Sequence, residues 1–147
     1  MTHHPFLMTP GIWLGQGKIQ LNLSPEELSF FTRWSVNEVD SDGTIECLQE
    51  IQVKGIAEIM QNIFILSNMT NGEFVVDLEN EALGKVTGKG IINDKILAWE
   101  FRVEEIGFEG FEIYEKQEDK TYKVRAEYAT NDQFRTLIQG KLWQKTS

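Results

Sequence analysis

Along most of the chain apolar and polar residues alternate one by one, and a period of two predicts strands rather than helices. Over residues 11–23, Trp13, Ile19, Leu21 and Leu23 share one parity with Gly15 and Gly17, while Leu14, Gln16, Lys18, Gln20 and Asn22 take the other. One face of such a strand is buried and the other is wet. Two glycines on the face of a bulky ring point to a bend, since glycine inside a strand marks a bulge or a close backbone approach. The same alternation returns with Phe30, Trp34 and Val36 over 28–39 and with Ile45, Cys47, Gln49, Ile51 and Val53 over 44–54. It returns again with Phe74, Val76 and Leu78, with Leu97, Trp99, Phe101 and Val103, and with Tyr122, Val124, Ala126 and Tyr128. Phe134, Ile138 and Leu142 fall in register over 133–145.

Three stretches read less clearly. Residues 58–68 are apolar on both parities and fit a strand covered on both faces or a short helix; their β-branched content favours strand. Residues 83–93 carry Gly84, Gly88 and Gly90 in a weak strand pattern, and 109–117 hold Phe111, Ile113 and Tyr114 on mixed parities. Ser24-Pro25-Glu26-Glu27 has the form of a capping box with proline at the first helical position, which allows a short helical turn near residues 25–31.

Turn chemistry separates these runs: Asp40-Ser41-Asp42-Gly43, Asn71-Gly72, Asn93-Asp94, Gly107, Asp119-Lys120 and Asn131-Asp132. No helical segment is long enough for a crossover connection, so the sheet is expected to be antiparallel. About ten strands joined by short turns predict an up-and-down meander, which escapes its exposed edges best by closing. The expectation is an all-β chain: a flexible lead-in over 1–10, then a single barrel domain over 11–147.

Gly11-x-Trp13-x-Gly15-x-Gly17 on the first strand resembles the opening of calycin-type barrels, namely lipocalins, fatty-acid-binding proteins and the nitrobindin-like family. The resemblance implies that Trp13 closes one end of the barrel and that the interior holds a small ligand. The strand count is closer to the fatty-acid-binding and nitrobindin-like barrels than to lipocalins. Fatty-acid-binding proteins carry a helix-turn-helix lid between their first two strands, for which 24–31 is too short, and hold the ligand carboxylate with interior arginines. Arg102 and Arg125 fall on the outer parity here. Nitrobindin-like proteins hold haem through a histidine near the C-terminus; none stands there in this sequence, so haem, or any other cofactor, is not expected.

Composition narrows the partners. A chain of 147 residues that is 41% hydrophobic and 25% charged has the make-up of an ordinary globule. A net charge of −9 opposes nucleic-acid phosphates and anionic membrane surfaces. No apolar run approaches the ~20 residues that span a bilayer. The single cysteine, Cys47, excludes an internal disulfide; with no signal-peptide pattern at the N-terminus, a cytoplasmic location is expected.

The candidate chemistry is sparse. Both histidines, His3 and His4, stand in the first four residues, so no Ser-His-Asp set can be built and no third ligand for a metal is evident. Gly84-Lys-Val-Thr-Gly-Lys-Gly90 fails the spacing of a phosphate-binding loop. Cys47 on an apolar parity reads as a small buried hydrophobe. Acidic residues are scattered and none stands out. What remains is an aromatic interior with a few polar groups, from which Trp34, Gln49, Trp99, Phe101, Tyr122, Tyr128 and Phe134 are taken as ligand-binding candidates, with no catalytic or metal residue assigned. Two readings follow. In the first, the barrel binds a small hydrophobic or amphipathic ligand without catalysis. In the second, the aromatics fill the barrel as core, and Leu48, Leu137, Trp143 and the 58–68 stretch form an outer patch for a protein partner or a second copy.

Overall fold

The computed structural model describes residues 4–130 and 135–146. Among them ten strands form a closed antiparallel barrel in which each strand pairs with its sequence neighbours and the last pairs with the first. They are β1 (Gly11–Leu21), β2 (Glu27–Val36), β3 (Ile45–Val53), β4 (Ile59–Thr70), β5 (Glu73–Asn80), β6 (Gly84–Ile92), β7 (Ile96–Val103), β8 (Phe108–Lys116), β9 (Tyr122–Ala129) and β10 (Arg135–Gln144). Closure removes the unpaired edges that a meander would otherwise expose. Asn71 and Gly72 both take positive φ, as a two-residue hairpin turn of the favoured hand requires.

The seam between β1 and β10 depends on glycine. Gly17 lies opposite Gly140, and a Cβ on Gly17 would run into the Gln139 carbonyl oxygen. The two backbones therefore approach more closely than any side chain permits.

Up-and-down connectivity gives the barrel two distinct ends. The start of β1, the end of β2 and the start of β9 form the lower end; the end of β1, the start of β2 and the end of β9 form the upper one. The lower end is filled. Trp13 is buried there and packs against Phe6 and Tyr122. Phe6 and Leu7 are wholly buried, which does not fit a loose lead-in over residues 4–8. They belong to a tight helical turn, α1 (Pro5–Met8), whose inner residues leave helical geometry; Leu7 takes φ 67. Phe6 meets Trp13, Trp34, Tyr114 and Tyr122 with centroid distances of 5.0–5.5 Å. Apolar area removed from water offsets the cost of the left-handed residue.

The capping-box residues do not form a helical turn. Glu26 N–H donates to Ser24 Oγ at 3.2 Å, but the chain enters β2 at Glu27, paired with Gln20. The ladder with β1 satisfies the backbone groups that a single exposed turn would leave in water. A 3-10 turn occurs instead at Glu104–Ile106, closed by Gly107 in the left-handed region. Residues 59–68 lie in β4, and its outer face is not covered: Phe64 and Leu66 are buried on the inner parity, whereas Ile59 and Ile63 on the outer parity are exposed, as is Met60 near the inner start of the strand. Leu48 and Ile63 pair side by side on the outside, while Leu137 and Trp143 stand near opposite ends of β10. These residues do not form one patch.

Candidate functional site

Above the plug the barrel encloses a cavity of about 200 Å³. Phe30, Trp34, Phe64, Phe108, Tyr114 and Tyr128 supply aromatic walls, and Ile19, Ile51, Leu78, Val124, Ile138 and Leu142 supply aliphatic ones. Trp34 and Tyr114 belong to both regions, since they also touch Phe6. The plug is thus the cavity floor.

One wall carries a chain of side-chain hydrogen bonds across four neighbouring strands. Asn80 on β5 donates to Asn62 Oδ1 on β4 at 3.0 Å, and Asn62 donates to Gln49 Oε1 on β3 at 3.0 Å. Gln49 donates to Thr32 Oγ1 on β2 at 3.2 Å, and the Thr32 hydroxyl donates to the Glu50 carbonyl at 2.9 Å. The three amide donors point the same way round the barrel and the Thr32 hydroxyl turns back to β3, so each bond polarises the next. At the far end Asn80 Oδ1 accepts the Leu83 N–H at 2.7 Å.

The opposite wall holds the one buried carboxylate among the described residues, Glu112. It sits on the inner face of β8 between Trp99 on β7 and Ala126 on β9. Tyr114, two residues on, shares that face and donates to Glu112 Oε1 at 2.5 Å. Tyr128 stands one step away on β9 and donates to Oε2. Gly110 makes this reach available: it lies opposite Tyr128, and a Cβ there would overlap the tyrosine ring. The small Ala126 leaves room beside the carboxylate. Burial pushes the Glu112 carboxyl above its ordinary range, and the hydrogen bonds from the two tyrosines do not offset that cost. Tyr114 and Tyr128 are raised well above the usual phenol value, by burial first and then by the adjacent carboxylate. Trp99 turns its indole N–H toward the same carboxylate without completing a hydrogen bond.

Of the residues chosen from sequence, Trp34, Gln49 and Tyr128 line this cavity. Trp99 is buried behind it, against Tyr114 at 5.1 Å. Phe101 is also behind the wall, packed on Phe108. Tyr122 is not at the cavity; it belongs to the plug, where its hydroxyl donates to His4 Nδ1 at 2.7 Å. Phe134 lies outside the described residues, as does His3. His4 is buried, and its Nε2 donates to the Asn93 carbonyl at 2.5 Å. A carbonyl only accepts, so Nε2 carries the proton and Nδ1 accepts from Tyr122. Cys47 is buried away from the cavity, and burial pushes its thiol up to about 12.

Sequence reasoning missed Glu112. The run Phe108-Glu109-Gly110-Phe111-Glu112-Ile113-Tyr114 places an aromatic and a glutamate on both parities. Phe111 and Ile113 make the outer parity look like the buried one. Phe111 is half-buried on the outside, under the Arg125 guanidinium at 5.7 Å. The available signal was Tyr114 two residues on and Gly110 two residues back.

No protein-family model matches the chain, and no curated protein matches it. Among solved structures it is similar to an S-type phycobiliprotein lyase from Guillardia theta, with a TM-score of 0.71 at 10% sequence identity over 95% of this chain and 90% of that one. At that identity the likeness is one of fold: a calycin-like barrel.

Proposed function

We propose that this barrel binds a small amphipathic ligand in its upper cavity. The observation that carries the reading is the cavity itself: about 200 Å³ of space with aromatic walls, a polar chain on one side and a carboxylate on the other. A barrel filled only for stability has no use for paired polar groups on opposite walls, because burying them costs unless every partner is met. Ligand pockets have the same make-up, mostly apolar with a few placed polar groups. The volume is below the ~300–1,000 Å³ of pockets for drug-sized ligands, so a compact ligand is favoured over a tetrapyrrole. The bilin chemistry in the name of the structural neighbour would need the floor at Phe6 and Leu7 to move away.

Native mass spectrometry of the purified protein and calorimetric titration test this reading. Compact apolar amines, alcohols and acids should include at least one binder, and haem and biliverdin should not bind while the plug is seated. Absence of any co-purifying mass together with no binder in the series would overturn it. Biliverdin binding would instead show that the plug opens. Glu112 favours a second reading, proton transfer to a bound substrate, since a buried carboxyl with a raised pKa is the form a general acid takes. That reading requires turnover of a cavity-binding compound that Glu112→Gln abolishes.

A further inference from the structure

The Glu112 cluster has a polarity of its own. Each tyrosine has one hydroxyl hydrogen, and both hydrogens are committed to the carboxylate: Tyr114 to Oε1 and Tyr128 to Oε2. With Glu112 ionised, the form that an approaching cation favours against the upward push of burial, what the cluster turns toward the cavity is the remaining lone pairs of four oxygens, which only accept. The Trp99 N–H is a donor, but it stands behind the carboxylate, buried and without a partner. A ligand that meets this wall must bring hydrogens.

The rest of the cavity agrees. Among the described residues Lys141 is the only basic one along it, and its side chain is exposed, on the parity opposite Leu142. Arg102 and Arg125 are on the outside of the barrel. An anionic head group would thus meet a buried carboxylate with no countercharge to offset the repulsion. A cationic head group meets the opposite: a carboxylate for its charge, tyrosine oxygens for its remaining hydrogens, and the Tyr114, Tyr128 and Trp34 rings for cation–π contact.

We propose that Glu112, Tyr114 and Tyr128 form the head-group subsite of the cavity and select a compact ligand with a protonated amine on an apolar, aromatic-sized body. This rests on the cavity-binding reading above and deepens it. It also separates this barrel from the fatty-acid-binding proteins it resembles, whose ligands are acids.

The test is calorimetric titration of the whole protein at neutral pH with 2-phenylethylamine, 2-phenylethanol and 3-phenylpropionate, which share a body and differ in the head group. The amine is expected to bind about tenfold or more tightly than the alcohol, the step a hydrogen bond to a charged group supplies; the acid is expected not to bind. Glu112→Gln should bring the amine down to the affinity of the alcohol. The series on the unaltered protein decides the matter even if that variant fails to fold. Alcohol or acid binding as well as the amine overturns the head-group assignment while leaving the cavity reading in place. Retained amine preference in a folded Glu112→Gln protein also overturns it. No binding by any of the three overturns both.

Discussion

Glu112 makes the fold sensitive to pH in one direction. A group whose folded pKa is raised contributes stability that is fully present below its unfolded value and is lost as pH rises through the folded value. For Glu112 the window opens near 4.5 and extends upward. Glu112→Gln removes that titration, so its stability relative to the unaltered protein should rise with pH across this window. Urea unfolding of both proteins at several pH values measures the difference. A parallel pair of curves would show that the carboxyl is not perturbed. Gly110 is tested at the same scale. A methyl group there overlaps the Tyr128 ring, and Gly110→Ala should cost about 1–3 kcal/mol by overpacking. Its urea midpoint should fall, and Tyr128 should lose its contact with Glu112.

At the scale of elements, the α1 turn acts as an internal piece of core. Phe6 touches four aromatic rings from four strands, so it ties β1, β2, β8 and β9 together at the lower end. Phe6→Ala should lower stability by about 3–5 kcal/mol and deepen the cavity, because Trp34 and Tyr114 form wall and floor at once. Thermal melts and the affinity for larger apolar ligands would read both effects. His4 holds the turn in place, and its titration runs opposite to that of Glu112. Burial lowers its pKa, with Lys116 lowering it further; the Asn93 carbonyl and Asp94 pull the other way. A lowered histidine contributes stability that is present above its unfolded value near 6.5 and lost as pH falls through the folded value. His4→Gln should therefore flatten the loss of stability on acidification below 6.5. An unchanged acid limb would show that the turn does not depend on a neutral His4.

For the whole molecule, closure rests on the β1–β10 seam and on the filled lower end. Trp13 is 1% exposed at that end, and Trp13→Ala should cost about 3–5 kcal/mol. Gly17→Val places atoms where the Gln139 carbonyl stands; it should prevent the seam from forming and abolish the cooperative melt followed by circular dichroism. Among the described residues no helix is long and apolar enough to cross a membrane.

Alternation alone was enough for the all-β antiparallel barrel and for the inward faces of β2, β3, β5, β7 and β9, because a half-buried strand has to write its burial into every second residue. Trp34, Gln49 and Tyr128 were legible as interior for that reason. The same rule failed on β8, where both parities carry an aromatic and a glutamate, and so Glu112 went unseen. It failed at residues 4–8 as well, since a turn that folds back into a barrel has no period to read. Which interior residues line space and which stand behind a wall was settled only by closure: the turn from the N-terminus fills one end, and Glu112 faces the polar chain from across the barrel. Those are relations between strands far apart in sequence, and no local pattern encodes them.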